Sequence, residues 1–378
     1  MTTLLQRSQQ AWRDIGGLHT AEEIAQQPAL WSELATSLRT ERPRVEAFLG
    51  GCLSNPLQRV ILTGAGSSAY VGEIVADELN ALWPAQVRAL ATTTLLTHPE
   101  LYLDAGAPTL LVSFARSGDS PESLAAVNLV RELVPGARLL NITCNPEGRL
   151  ARDSAGDPDT FNLLMPPASC DRGFAMTSSF TCMLLAALAV LGKENDACRI
   201  AGLAQLAQAA LQAWEAPVAA LAGTGAQRVV YLGSGPLEGL AKESALKLLE
   251  LTGGRVPAMA NTPLGFRHGP KSVLNSEALV IVFNSSRALS RRYEADLVDE
   301  LRRDGIAQRI LTVGPGGDLD IDTPELPDAW LAPLWLLVAQ QYALHLSAGL
   351  QLRPDNPFAS GTVNRVVKGV TIYRHDES

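Results

Sequence analysis

The sequence predicts an α/β chain made of two tandem copies of one mostly parallel, helix-flanked sheet, with helices in front. Three observations carry that prediction. Apolar runs at 60–63, 109–114 and 138–143 recur at 229–232, 278–283 and 309–313. Helical patterns fill the intervals at 69–82, 121–134, 237–252 and 291–303, the alternation of parallel sheets with right-handed crossovers. A single shift of 169 positions lays Arg59-Val60-Ile61-Leu62-Thr63-Gly64-Ala65-Gly66 on Arg228-Val229-Val230-Tyr231-Leu232-Gly233-Ser234-Gly235. The same shift pairs Ala76 with Ala245 and Leu79 with Leu248, and maps Leu110–Phe114 onto Leu279–Phe283. One offset kept across three elements marks an internal repeat.

The length of 378 residues fits two domains of about 150 residues each. With 47% hydrophobic and 19% charged residues, the chain has ample core. A net charge of -8 argues against nucleic acid and anionic membranes as partners. The opening MTTLLQRSQQ is polar, not a leader, and the most apolar stretch, 183–191, is far too short to span a bilayer. Cys52, Cys144, Cys170, Cys182 and Cys198 are widely spaced, with no CxxC pair. Reduced thiols in a cytoplasmic protein, without a zinc site, are expected.

Residues 1–40 read as an amphipathic helical segment. Thr20 with Glu23 three positions on has the form of a capping box, and Ile24, Pro28, Leu30 and Trp31 supply an apolar face. His19 reads either as a surface histidine or as a site residue. Domain one is placed at 41–195 and domain two at 196–353, with bridging helices from Ser178 to Trp214 and a further helix at 330–346. A tail follows at 354–378.

The copies differ after their second strands. The first has Ala115-Arg116-Ser117-Gly118-Asp119-Ser120-Pro121-Glu122-Ser123, where Ser120 reads as an N-cap and Pro121 as N1. The second has Asn284-Ser285-Ser286-Arg287-Ala288-Leu289, with neither glycine nor proline. Serine hydroxyls, loop amides and a helix start suit a phosphate, although a merely capped turn has the same letters. Ser67 and Ser68, beside Gly66 on the first glycine turn, face the same crevice. Gly64-x-Gly66-x-x-Ala69 also has the form of a dinucleotide fingerprint, but 88–94 offers no acid for a ribose. A sugar phosphate is the better ligand.

In the second copy Glu243, Lys247 and Glu250 share one helix face, either as an exposed ion pair or as chemistry. Glu250 falls in the last turn before Gly253-Gly254, where the helix dipole is unfavourable to a carboxylate and suits a base working near neutral pH. It lies roughly 20 Å along the helix from the glycine turn, so its substrate must be held elsewhere. Arg267-His268-Gly269-Pro270 adds an imidazole.

The repeat, the Ser117-Gly118-Asp119-Ser120 loop, Ala245-Leu246-Lys247-x-x-Glu250 and Arg267-His268-Gly269-Pro270 resemble the sugar isomerase (SIS) domain family over nearly the whole chain. The fuller string resembles the bacterial galactosamine-6-phosphate deaminase/isomerase family, also called tagatose-6-phosphate ketose/aldose isomerases. That string adds His19-Thr20-x-x-Glu23-Ile24, 64–70, 113–120, 141–145 and 176–181. The chain is also similar to the isomerase half of glutamine–fructose-6-phosphate amidotransferase. The resemblance implies two tandem SIS domains, each doubly wound and flavodoxin-like. It implies substrate contacts from Gly66, Ser67, Ser68, Arg116, Ser117, Gly118, Ser120, Met176, Thr177 and Ser178. Glu250 would move a proton between C1 and C2, and Lys247 matches another active-site lysine. His268 would open the ring, donated by a neighbouring subunit as in the amidotransferase. Lys368, otherwise a solvated tail charge, matches the Schiff-base lysine. Two departures from the amidotransferase are Ala115-Arg116 for a Ser-Gln pair and Met176 near a sugar-binding serine.

The implied reaction is isomerisation and deamination of a 2-amino-2-deoxyhexose 6-phosphate, with galactosamine 6-phosphate giving tagatose 6-phosphate and ammonia. No metal or other cofactor is expected, and a homodimer or homotetramer with shared sites is. Plain ketose/aldose isomerisation is the alternative. A sugar-phosphate-binding regulator without catalysis is a third reading, opposed by Glu250, His268 and Lys368 in one chain.

Overall fold

The computed structural model describes residues 3–193 and 197–375. The chain divides into two compact units, each gathered from separated stretches. One holds Ala29–Cys170, Ser178–Ala201 and Ser360–Ser378; the other holds Met1–Pro28, Asp171–Thr177 and Gly202–Ala359. In the latter, the two-residue strands β1 (Thr3–Leu4) and β2 (Arg7–Ser8) pair antiparallel ahead of short helices at Gln9–Ile15 and Leu18–Ala25.

The first unit is built on β3 (Arg59–Thr63), β4 (Gln86–Ala89), β5 (Thr109–Ala115), β6 (Arg138–Thr143) and β7 (Thr160–Leu164), all parallel in the order β4-β3-β5-β6-β7. The central β5 is buried along its whole length, which is why it reads as an unbroken apolar run. The edge strands β4 and β7 are half-exposed, and no apolar run announces them. Ile61, Leu111 and Leu139 pack with Val127 and Val130 of the Pro121–Leu133 helix. The Ser178–Leu191 helix is buried on every side, as its all-round apolar sequence requires.

The second unit repeats the plan with one strand fewer. Its strands β8 (Arg228–Leu232), β9 (Ala258–Asn261), β10 (Ala278–Phe283) and β11 (Arg309–Val313) run parallel in the order β9-β8-β10-β11. The 169-residue offset survives in three dimensions. Arg59 lies opposite Thr109 and Arg228 opposite Ala278, and the helices Ser67–Leu82 and Pro236–Leu251 stand at the same shift. Their caps, Gly66 (φ 57°, ψ -129°) and Gly235 (φ 55°, ψ -127°), share one left-handed turn that favours glycine. A Cβ on Gly64 would lie 2.6 Å from the Ser68 backbone, and one on Gly233 2.2 Å from the Leu237 carbonyl oxygen. In both sheets the strand order reverses beside the glycine turn, the place where doubly wound folds hold ligands.

The capping box at Thr20 is not formed. The Leu18–Ala25 helix is capped at Gly17 without a side-chain bond, and Asp355 accepts from the His19 and Thr20 amides at 3.1 and 2.8 Å. A carboxylate from near the far end of the chain meets both amides, so the local cap is redundant. Glu23 is turned to other work, described below. Among the described residues no helix is long and apolar enough to cross a membrane.

Candidate active site

In the first unit the loops leaving β3 and β5 emerge side by side, because those strands pair with Thr63 opposite Ser113. Ser67 and Ser68 open the helix after β3 and are buried. The loop after β5 is held by its neighbour. Asn145 Nδ2 donates to the Ser117 carbonyl at 2.9 Å, and the Leu150 amide donates to that of Gly118 at 2.9 Å. A Cβ on Gly148 would lie 2.3 Å from the Ser117 oxygen, so only glycine lets the two loops approach this closely. Gly118 has φ 70°. Ser120 is the N-cap and Pro121 is N1, as predicted, but the Ser120 hydroxyl donates to Glu122 at 2.7 Å instead of capping the helix. Arg116 is buried and donates to the Arg365 carbonyl at 3.1 Å, which ties the C-terminal tail to this loop. Lys368, three residues on, is exposed.

In the second unit the exposed-pair reading of Glu243 and Lys247 is overturned, since both side chains are fully buried. Lys247 Nζ lies 3.3 Å from Glu243 Oε1 and donates to Glu250 Oε2 at 2.5 Å. Glu250 keeps 22% of its side chain exposed. A buried ammonium thus fixes one oxygen of a carboxylate whose remaining surface is open to a substrate, the arrangement a general base needs. The helix stops at Leu251, and Gly253 and Gly254 turn the chain with φ 58° and 74°, so the predicted glycine stop is observed.

His268 is exposed in a braced loop. Thr262 caps the short Pro263–Phe266 helix, accepting from Gly265 N at 3.1 Å, and the His268 amide donates to the Gly265 carbonyl. On either side, Arg267 binds Glu300 at 2.8 Å and Lys271 binds Glu300 and Asp304. The backbone carrying the imidazole is therefore anchored to the Ala288–Asp304 helix.

Met176, Thr177 and Ser178 are all buried. The Thr177 amide and hydroxyl both donate to Asp171, at 2.8 and 3.0 Å. The same 171–177 stretch is gripped by Glu23, which accepts from the Arg172 and Gly173 amides at 2.6 and 3.2 Å. A Cβ on Gly173 would lie 2.9 Å from the Glu23 carboxylate and from the Thr20 hydroxyl. Sequence reasoning missed this pair of buried acids; the one signal was that Glu23 belongs to an apolar segment.

Burial, and then the neighbouring Asp171 charge, push the Glu23 carboxyl up from 4.5 to about 8. Between those values the folded chain keeps a proton that the unfolded chain has released, so stability falls as pH rises from about 4.5 to about 8 and then levels. Glu23→Gln keeps an acceptor for the two amides without the charge. It should flatten that slope and leave the variant about 1–4 kcal/mol more stable than the native chain above pH 8. Urea unfolding at pH 5 and pH 9 tests this; an unchanged slope would assign the proton to another group.

The SIS domain family matches residues 54–192. The D-galactosamine-6-phosphate deaminase AgaS of Shewanella sp. (strain ANA-3) is 41% identical over 361 residues, 95% of this chain and 92% of its own length. The protein of that name from Escherichia coli is 43% identical over 368 residues, 94% of this chain and 96% of its own. A crystal structure of tagatose-6-phosphate ketose/aldose isomerase from Escherichia coli superposes with TM-score 0.88 at 40% identity, covering 95% of this chain and 97% of that one. Glutamine–fructose-6-phosphate aminotransferases match more distantly.

Proposed function

The chain belongs to the AgaS family of D-galactosamine-6-phosphate deaminases, SIS-domain proteins, and on that premise we propose that it deaminates and isomerises galactosamine 6-phosphate to tagatose 6-phosphate. The observation that carries this reading is the partly open Glu250 carboxylate, held at one oxygen by buried Lys247. The amides and hydroxyls of 66–68 and 116–120 take the phosphate, with the Arg116 cation beside them. His268, supplied by a neighbouring subunit of a homo-oligomer, opens the ring. Glu250 removes the C2 proton to give an enolamine and returns it to C1, leaving a ketimine at C2. Water then adds to the ketimine and ammonia leaves. Where Lys368 takes part, its amine displaces the ammonia by transimination instead, and water then hydrolyses the lysine Schiff base to free the ketose and the amine. Met176, Thr177 and Ser178 line the sugar.

The shared offset, caps and strand order support reading the chain as two tandem SIS domains, placed at 41–195 and 196–353; the enzyme is proposed to be cytoplasmic and to need no cofactor. Plain ketose/aldose isomerisation is the second reading, favoured by the name of the Escherichia coli structure, because it uses the same proton shuttle. Ammonia release measured on the 6-phosphates of galactosamine, glucosamine and their N-acetyl forms separates the readings. Release from galactosamine 6-phosphate is expected. Interconversion of the neutral hexose phosphates without ammonia from any amino sugar would leave isomerisation alone. Saturable binding with no proton exchange at C2 would leave a regulator.

A further inference from the structure

The second sheet keeps a crevice of the same plan as the one to which the phosphate is assigned above, and the inference rests on that assignment. Gly235 repeats the backbone turn of Gly66, and Ser285-Ser286-Arg287 leave β10 where Arg116-Ser117 leave β5. In the first sheet such amides and hydroxyls are the groups to which the phosphate is assigned. In the second they are taken. Asp328, the first residue of the Asp328–Gly349 helix, accepts the Ser285 hydroxyl through Oδ2 at 2.5 Å and the Ser286 amide through Oδ1 at 2.6 Å. Glu294 accepts the Ser285 amide through Oε2 at 2.9 Å. Ser285, Glu294 and Asp328 are all buried, 0%, 1% and 4% exposed.

Two carboxylates buried together are costly unless donors converge on them. Burial, with the Asp328 charge adding to it, holds the Glu294 carboxyl above its ordinary range against the Ser285 amide and the Ser234 hydroxyl. An apolar plug would close the crevice without that expense, so the choice of acids needs a reason. Strand-end amides and serine hydroxyls left without an acceptor would be buried unsatisfied donors, and an anion is what satisfies them.

We propose that the second crevice is an inorganic-phosphate-type anion seat occupied from within by Asp328 and Glu294, so that each chain takes one phosphorylated ligand and not two. The two side chains stand in for the phosphoryl oxygens of a ligand that this half of the repeat no longer receives. Removing the acid that meets two of the donors uncovers the seat.

Equilibrium dialysis of the full chain against radiolabelled inorganic phosphate tests the assignment, with the chain's thermal midpoint followed with and without phosphate. The native chain should bind one phosphate. Asp328→Ala should bind a second and gain more thermal stability from phosphate than the native chain does. Asp328→Asn fills the same space and should stay at one. Where Asp328→Ala folds poorly, Glu294→Ala carries the same titration, and recovery of either variant on adding phosphate supports the seat. Stoichiometry unchanged in both variants, with no recovery by phosphate, overturns it. A native chain that binds no phosphate at all would instead remove the assignment made for the first crevice.

Discussion

Glu250→Gln should lower ammonia release from galactosamine 6-phosphate by about 10²–10⁴-fold, the span that a positioned general base contributes, with substrate affinity nearly unchanged. The amide keeps the size and one acceptor of the carboxylate, so Lys247 still has an oxygen to bind, but the group can no longer take the C2 proton. Loss of kcat without loss of binding separates a base from a binding residue. The check is a pair of measurements, calorimetric affinity and solvent-deuterium exchange at C2. Exchange at more than about a tenth of the native rate would place the base elsewhere.

Lys247→Met should cost about 3–5 kcal/mol of folding stability, because breaking a buried ion pair from one side leaves an uncompensated charge. Glu243 is fully buried and its carboxylate lies 3.3 Å from the Lys247 ammonium. The prediction has an internal control. In Lys247→Met/Glu243→Gln the orphaned charge is gone, and more than half of the lost stability should return, a coupling read from the double-mutant cycle. Activity should not return with it, since Glu250 has lost the ammonium that donates to its Oε2. Denaturant unfolding of the four proteins in the cycle gives the answer; additive losses would mean that Lys247 and Glu243 act separately.

The contrast between these residues and the sheets shows what the sequence can reveal. Strands buried on both faces, such as β5 and β10, read as apolar runs, and the glycines at 64 and 233 are forced by close backbone approach. Both sheets and their repeat were therefore legible, as was the Ser117–Ser120 loop, whose serine, glycine and proline each have a local reason. Edge strands such as β4 and β7 carry no such run; β4 shows only as the strand that ends near 88–94, and β7 has no signal at all. Lys247 was ambiguous because an i,i+4 acid–lysine spacing is the same on a wet face as on a buried one. Glu23 meeting Arg172 and Gly173, and Asp355 meeting Thr20, are pairings between distant parts of the chain; no local pattern encodes them, so the sequence shows Glu23 only as a cap.

The bond from Asp355 to the Leu18–Ala25 helix also orders events in time. That helix leaves the ribosome early, yet the carboxylate that receives its first amides arrives some 335 positions later. Until that residue is made, the His19 and Thr20 amides have no such acceptor, while Glu23 of the same helix can already meet the Arg172 and Gly173 amides. A chain cut short before position 355 would leave those two amides without their carboxylate.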